Sequence, residues 1–319
     1  MDIILFFVLA IAMIFISIKL SYYADVLDNN TNLGGLIIGG ILLAGSTSLP
    51  ELITSISSVL LKNPSLALGD ILGSNIFNIF VISLFDIMYL KYKFMERLTY
   101  KYISTHLIMI GIYIILISYF RGNFVSGIIN IGIPSVAIII GYFIYLIIIS
   151  KAHITDKKPG FNENETKAGL KFVITVIILI IVSILLTYQV NSISINYPTF
   201  TSSIYGAFLL GVTTSIPEIV SMITLFKIGS YNLAFSNMIG SNIISLLFLA
   251  LIDSFLLKKC IYDFYDKDTI YLCYIGLGFT IILLYSALRK SYKPLLLYIM
   301  PSILIFIVYV WFSLFYLFS

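Results

Sequence analysis

GGILLAGSTSLPELITSISSVLLKNPSLALGDILGSNIFN (residues 39–78) returns 167 positions later as GAFLLGVTTSIPEIVSMITLFKIGSYNLAFSNMIGSNIIS (206–245), without a gap and with 14 of 40 positions identical. The shared residues include Thr47 and Thr214, Ser48 and Ser215, Pro50 and Pro217, Glu51 and Glu218, and the tripeptides Gly73-Ser74-Asn75 and Gly240-Ser241-Asn242. Most are polar or helix-breaking, so a common apolar composition does not account for the match. A repeat of this length governs the whole fold.

The sequence around the repeat sets the solvent. Hydrophobic residues make up 60% of the 319, charged residues 11%, and mean hydropathy is +1.06. A soluble domain carries about 45–50% apolar and about 25% charged residues, so a water-soluble globule is excluded. A bilayer-spanning helix needs about 20 mainly apolar residues. Ten stretches qualify, at 2–22, 34–61, 65–90, 101–121, 126–150, 169–190, 202–228, 231–257, 269–290 and 294–318. The hydrophilic connector KAHITDKKPGFNENETKA (151–168) divides them five and five.

Five crossings separate each helix from its copy, and an odd number reverses direction through the membrane. The expected fold class is therefore an all-α membrane protein of ten transmembrane helices, arranged as two inverted five-helix repeats at 1–150 and 169–319. Inverted repeats of this kind build transporters whose site lies where interrupted helices meet. Lys and Arg collect on the cytoplasmic side, and the ten spans place 14 of them on one side and 5 on the other. That puts the linker 151–168 in the cytoplasm and both termini outside, in a multi-pass protein of the cell membrane. The first segment follows Asp2 instead of a basic stretch, so it is expected to be a retained helix and not a leader. Cys260 and Cys273 form no metal-like grouping and support no disulfide framework.

The chemistry sits in the repeat. Thr47, Ser48 and Glu51 share one helix face by spacing. Pro50 has no N–H for the carbonyl four residues back, so backbone oxygens near 44–47 are freed, and Pro217 does the same near 211–213. On the following helices Asp70, Ser74 and Asn78 fall at i, i+4 and i+8, and Asn237, Ser241 and Ser245 copy them. Together these supply carboxylate, hydroxyl, amide and backbone oxygens with no Cys or His. Hard cations such as Ca²⁺ take oxygen ligands, whereas zinc and copper prefer sulfur and imidazole. A lone membrane Ser or Thr commonly bonds back to its own helix. A glutamate in the membrane costs roughly 2.5–3.5 kcal/mol and is functional by default, and here there are two in equivalent places. Asp70, near the start of its helix, reads at least as well as an N-cap. Asn75 and Asn242 face away from the serine stripe and read as packing residues.

STSLPE (46–51) with GSNIFN (73–78), and TTSIPE (213–218) with GSNIIS (240–245), resemble the two alpha repeats of the sodium/calcium exchanger family, within the cation/calcium antiporters. The resemblance implies ion coordination by Thr47, Ser48, Glu51, Ser74 and Asn78, and by Thr214, Ser215, Glu218 and Ser241, with backbone oxygens from Ala44 and Gly211. Ser245 stands where that family often has an acid, Ser46 and Thr213 replace the usual Gly, and the short linker has no room for a regulatory calcium-binding domain. The implied activity is exchange of Ca²⁺ for Na⁺ by alternating access, with these ions as cargo, no cofactor, no nucleic-acid partner and a monomer in the lipid bilayer. Because Glu51 and Glu218 supply two negative charges, coupling is expected to differ from three-for-one unless Asp70 contributes. A proton-coupled Ca²⁺ antiporter and a non-transporting sensor or scaffold with a relict site are the alternatives. An enzyme is not expected: HExxH and GxSxG are absent, and no base pairs with a nucleophile.

Overall fold

The computed structural model describes residues 2–30, 45, 47–90, 100–122, 131–150, 165–227, 231–256, 259–288 and 294–318. They form α1 (Asp2–Asn30), α2 (Leu49–Leu60), α3 (Pro64–Met88), α4 (Tyr100–Phe120), α5 (Ile133–Ser150), α6 (Glu165–Asn196), α7 (Ser202–Lys227), α8 (Tyr231–Phe255), α9 (Lys267–Leu288) and α10 (Leu295–Phe318). Eight of these are long and apolar enough to cross a membrane, while α2 and α5 are shorter apolar helices. The first part of the expected 34–61 span and most of the linker lie outside the described residues. α6 starts at Glu165, inside the expected linker, and runs on to Asn196 rather than 190. Nothing between Leu170 and Asn196 breaks a helix, whereas Pro198 disfavours helical geometry at the residue before it.

Packing follows a rule of five. α1 lies along α6, α3 along α8 and α4 along α9. The contacts of α2 with α3 and α6 are matched by those of α7 with α8 and α1, and the α3–α10 contact by α8–α5. α3 and α8 run antiparallel: Ser65 at the start of α3 donates to the carbonyl of Phe264 (2.5 Å), beside the end of α8, where the Ile261 N–H donates to Asp253 (2.7 Å). Asn75 and Asn242 sit at the crossing and exchange side-chain amide to backbone carbonyl bonds, both 3.2 Å. Their expected packing role is what the geometry gives.

α3 and α7 touch backbone to backbone. A Cβ on Gly69 would lie 2.0 Å from the Ser203 carbonyl oxygen, and one on Gly73 would lie 2.3 Å from Ala207 Cα. From the other side, a Cβ on Gly206 would lie 2.3 Å from the Leu66 carbonyl oxygen, and one on Gly211 would lie 2.8 Å from the Ser74 nitrogen. Small residues permit such approach. Gly69 and Gly73 are four apart, as an α-helix requires for one face. Gly206 and Gly211 are five apart, and a single π-helical stretch at Gly206–Leu210 brings them into line.

The ends of α3 and α8 carry buried acids at equivalent positions. Asp86 accepts from Tyr298 (3.0 Å) and Ser302 (2.5 Å) of α10. Asp253 accepts from the Gly132 N–H (2.8 Å) and Ser135 (2.7 Å) at the start of α5. Both the acids and the serines keep the 167-residue offset, as do Pro134 and Pro301. The repeat therefore extends well past residue 78.

Candidate functional site

Two helix breaks make the site. Ser48 (φ −87°, ψ 5°) precedes α2, and its copy Ser215 (φ −79°, ψ 1°) interrupts α7 between Gly211–Thr214 and Ile216–Lys227. Pro50 and Pro217 fall in the first turn beyond each break, where a missing N–H is tolerated. Glu51 and Glu218 occupy the same turn, at the positive end of a helix dipole, which favours an anion.

Residues from both repeats converge on Glu218. Its Oε1 accepts from Ser48 (3.2 Å) and Ser241 (3.0 Å), those two hydroxyls are 2.8 Å apart, and the Thr47 hydroxyl also reaches the carboxylate. Glu51 lies close enough to Glu218 and Asp70 for their charges to act on it. Both glutamates are fully buried. Neither oxygen of Glu51, nor Glu218 Oε2, has a hydrogen-bond partner among the described residues. The same holds for Ser245 Oγ and Asn78 Oδ1. An unpaired buried acceptor costs about 1–3 kcal/mol, more when charged, so this is a site short of positive charge.

The other expected ligands are bonded elsewhere, to backbone carbonyls or to other side chains. Ser74 donates to the Ile71 carbonyl (3.0 Å) and Ser215 to the Gly211 carbonyl (2.7 Å), which occupies the backbone oxygen expected to face an ion. Thr214 donates to the Leu210 carbonyl (3.0 Å), and the Asn78 amide donates to Asn242 (2.8 Å). Ala44 lies outside the described residues.

Asp70 corrects one expectation. α3 begins at Pro64 after Asn63, so Asp70 is in its second turn, too deep to cap the helix. It is fully buried and accepts from Thr54 and Ser55 (3.5 Å) on Oδ2 and from Thr214 (3.2 Å) on Oδ1. The missed signal was a repeat mismatch, since Asn237 stands at the equivalent place.

A helical membrane bundle whose broken helices enclose buried carboxylates and hydroxyls is a cation transporter by class. The profile of the family described as sodium/calcium exchanger protein matches residues 1–151 and 167–318, and the chain belongs to that family, within the cation/calcium antiporter superfamily. The profile breaks inside the hydrophilic connector. Among solved structures, YfkE is similar at TM-score 0.69 and 13% identity, covering 98% of this chain and 92% of its own. The sodium-calcium exchanger NCX_Mj is similar at 0.61 and 19%, covering 97% and 98%. The H⁺/Ca²⁺ exchanger CAX is similar at 0.64 and 12%, covering 99% and 87%. No curated protein sequence matches the chain. The family is one of multi-pass ion exchangers, and cation/Ca²⁺ antiport is the activity class.

Proposed function

We propose that this protein exchanges Ca²⁺ for Na⁺ across the cell membrane by alternating access, with both termini outside and the 151–168 linker in the cytoplasm. The observation that carries the reading is the pair Glu51 and Glu218, fully buried at two equivalent helix breaks, with carboxylate oxygens that no described donor satisfies. One Ca²⁺, or two Na⁺, would neutralise the pair. Ca²⁺ takes 6–8 oxygens. The candidates are Thr47, Ser48, Glu51, Ser74 and Asn78 from one repeat, and Thr214, Ser215, Glu218, Ser241 and Ser245 from the other. Ala44 and Gly211 add backbone oxygens. Residues 1–150 and 169–319 act as inverted repeats, a reading supported by the helix contacts that recur five elements on.

Coupling follows from electrostatics. Carrying an empty, doubly charged site through the low-dielectric core is costly, so the gating movement proceeds only with cations bound. The α1–α6 pair is suited to that movement: α1 packs on the second half of α7, and α6 packs on α2. Each therefore touches a helix that bears one glutamate.

The test is Ca²⁺ uptake into proteoliposomes under an outward Na⁺ gradient, set against uptake under an outward-directed proton gradient of equal size. Na⁺-driven uptake that persists with the pH clamped supports the proposal. Uptake driven by protons alone replaces it with H⁺/Ca²⁺ antiport.

A further inference from the structure

α1 and α6 pack antiparallel. At one end of the pair the Asn196 amide donates to Asp2 at 3.1 Å. At the other end, near the start of α6, the two helices leave a groove of about 240 Å³. Lys19 and Lys171 line it together with Tyr23, and Lys171 Nζ lies 5.5 Å from the centre of the Tyr23 ring. Phe15, Ile174 and Ile178 give it exposed apolar walls. Lys19 is the last residue but one of the apolar span Asp2–Leu20, and Lys171 is the third of Gly169–Asn196. Both ammonium groups therefore belong where a bilayer turns from hydrocarbon to headgroup, the level to which lysine side chains reach and at which tyrosine collects. Phe15 lies four residues deeper than Lys19, and Ile178 seven deeper than Lys171, about 10 Å of helix rise.

Charge selects the occupant. The described lining of the groove holds two basic side chains and no acid. The nearest acids along the two helices, Asp25 and Glu165, each stand six residues further out, about 9 Å of rise. The far end of the same helix pair is equally aliphatic, yet residues 2–12 and 182–196 contain no Lys or Arg. Packing α1 on α6 thus does not itself demand the two lysines. A water-soluble anion would match the lysines alone, and a hydrocarbon chain the walls alone. A molecule with an anionic head and an apolar tail matches both, and basic pockets between membrane helices take such headgroups.

We propose that this groove seats one anionic glycerophospholipid from the leaflet on the linker side. Its phosphate sits between Lys19 and Lys171, and one acyl chain lies along Phe15, Ile174 and Ile178. A zwitterionic lipid fits less well, because its own ammonium group meets the two lysines. The site stands apart from the glutamate pair and does not depend on which ion is exchanged. By touching both helices at once, the lipid joins α1 to α6 and makes the pair respond to the charge of the surrounding leaflet.

The test is native mass spectrometry of the purified full chain, titrated with palmitoyl-oleoyl phosphatidylglycerol and, in parallel, with phosphatidylcholine of the same acyl chains. The wild type is expected to hold one phosphatidylglycerol more tightly than phosphatidylcholine. Lys19→Gln and Lys171→Gln should each weaken that first adduct about fivefold, and the double variant about thirtyfold. Lys227→Gln, which removes the same charge from an exposed position on α7 outside the groove, should leave it unchanged. An equal loss in Lys227→Gln would mean general attraction to a basic surface and overturns the site. Displacement of the lipid by millimolar inorganic phosphate would mark a free-anion site and overturns it too. If the groove variants do not fold, the wild type decides: equal affinity for the two lipids refutes the proposal, and preference for phosphatidylglycerol unaffected by inorganic phosphate supports it.

Discussion

Glu51 and Glu218 are copies of one another, yet the structure treats them differently. Glu218 is gripped by Ser48 and Ser241, while Glu51 has no partner among the described residues. The copies of those two serines, Ser215 and Ser74, are turned to the carbonyls of Gly211 and Ile71. On the proposed inverted-repeat reading, the conformer open to the other side is expected to exchange the roles: Ser215 and Ser74 swing onto Glu51, and Ser48 and Ser241 release Glu218. On that reading, the asymmetry marks one end of a two-state cycle. Four serine rotamers are its indicators.

The largest expected effect tests whether both glutamates are needed at all. Glu51→Gln and Glu218→Gln should each abolish Ca²⁺ flux in proteoliposomes while the protein still elutes as a folded species. Flux retained in either variant would mean that only one copy functions. Next comes the close approach that holds both halves together. Gly73→Ala puts a methyl 2.3 Å from Ala207 Cα and should lower stability by about 3 kcal/mol or more, since backbone cannot yield as a side chain does. Gly278→Ala, with nothing within 4 Å of the added Cβ, is the control and should leave the melting temperature unchanged.

A subtler effect sharpens the comparison between the serines. A hydrogen bond to a charged group is worth about 1.5–3 kcal/mol, or roughly tenfold or more. Ser48→Ala should weaken Ca²⁺ half-saturation about tenfold from one face of oriented vesicles, and Ser215→Ala by a similar factor from the opposite face. Equal losses at both faces for each variant would refute the exchange of roles. The smallest effect on flux concerns the scaffold. Ser135→Ala and Ser302→Ala each remove a bond to a buried carboxylate and should cost about 1.5–3 kcal/mol of stability while leaving Na⁺-dependent flux within about twofold of wild type.

Much of this was legible in the sequence, and what was not has physical reasons. The helix breaks, the glutamates and the Gly-Ser-Asn turns were readable because each needs a particular residue type, and such residues resist exchange. The repeat faded beyond Asn78 because residues 79–85 and 246–252 are mostly interchangeable packing residues, which conceal Asp86 and Asp253 behind them. The π-helical stretch left only a five-residue glycine spacing, which has no meaning until a partner helix is placed against it. Asp70 read as a cap although the expected start at residue 65 already put it beyond the first turn of α3, which begins at Pro64. Side-chain rotamers, such as those of Ser74 and Ser215, belong to a conformational state and are not encoded position by position.

The paired aspartates have a mechanical consequence. Asp86 and Asp253 lie at opposite ends of the antiparallel α3–α8 couple, and each is riveted to a different outer helix. Fastenings at both ends resist sliding as well as prying apart, so α3, α5, α8 and α10 are tied into one unit. Displacement must then be taken up elsewhere. On the proposed alternating-access reading, the long α1–α6 pair, with aliphatic side chains along its length, is the element that slips.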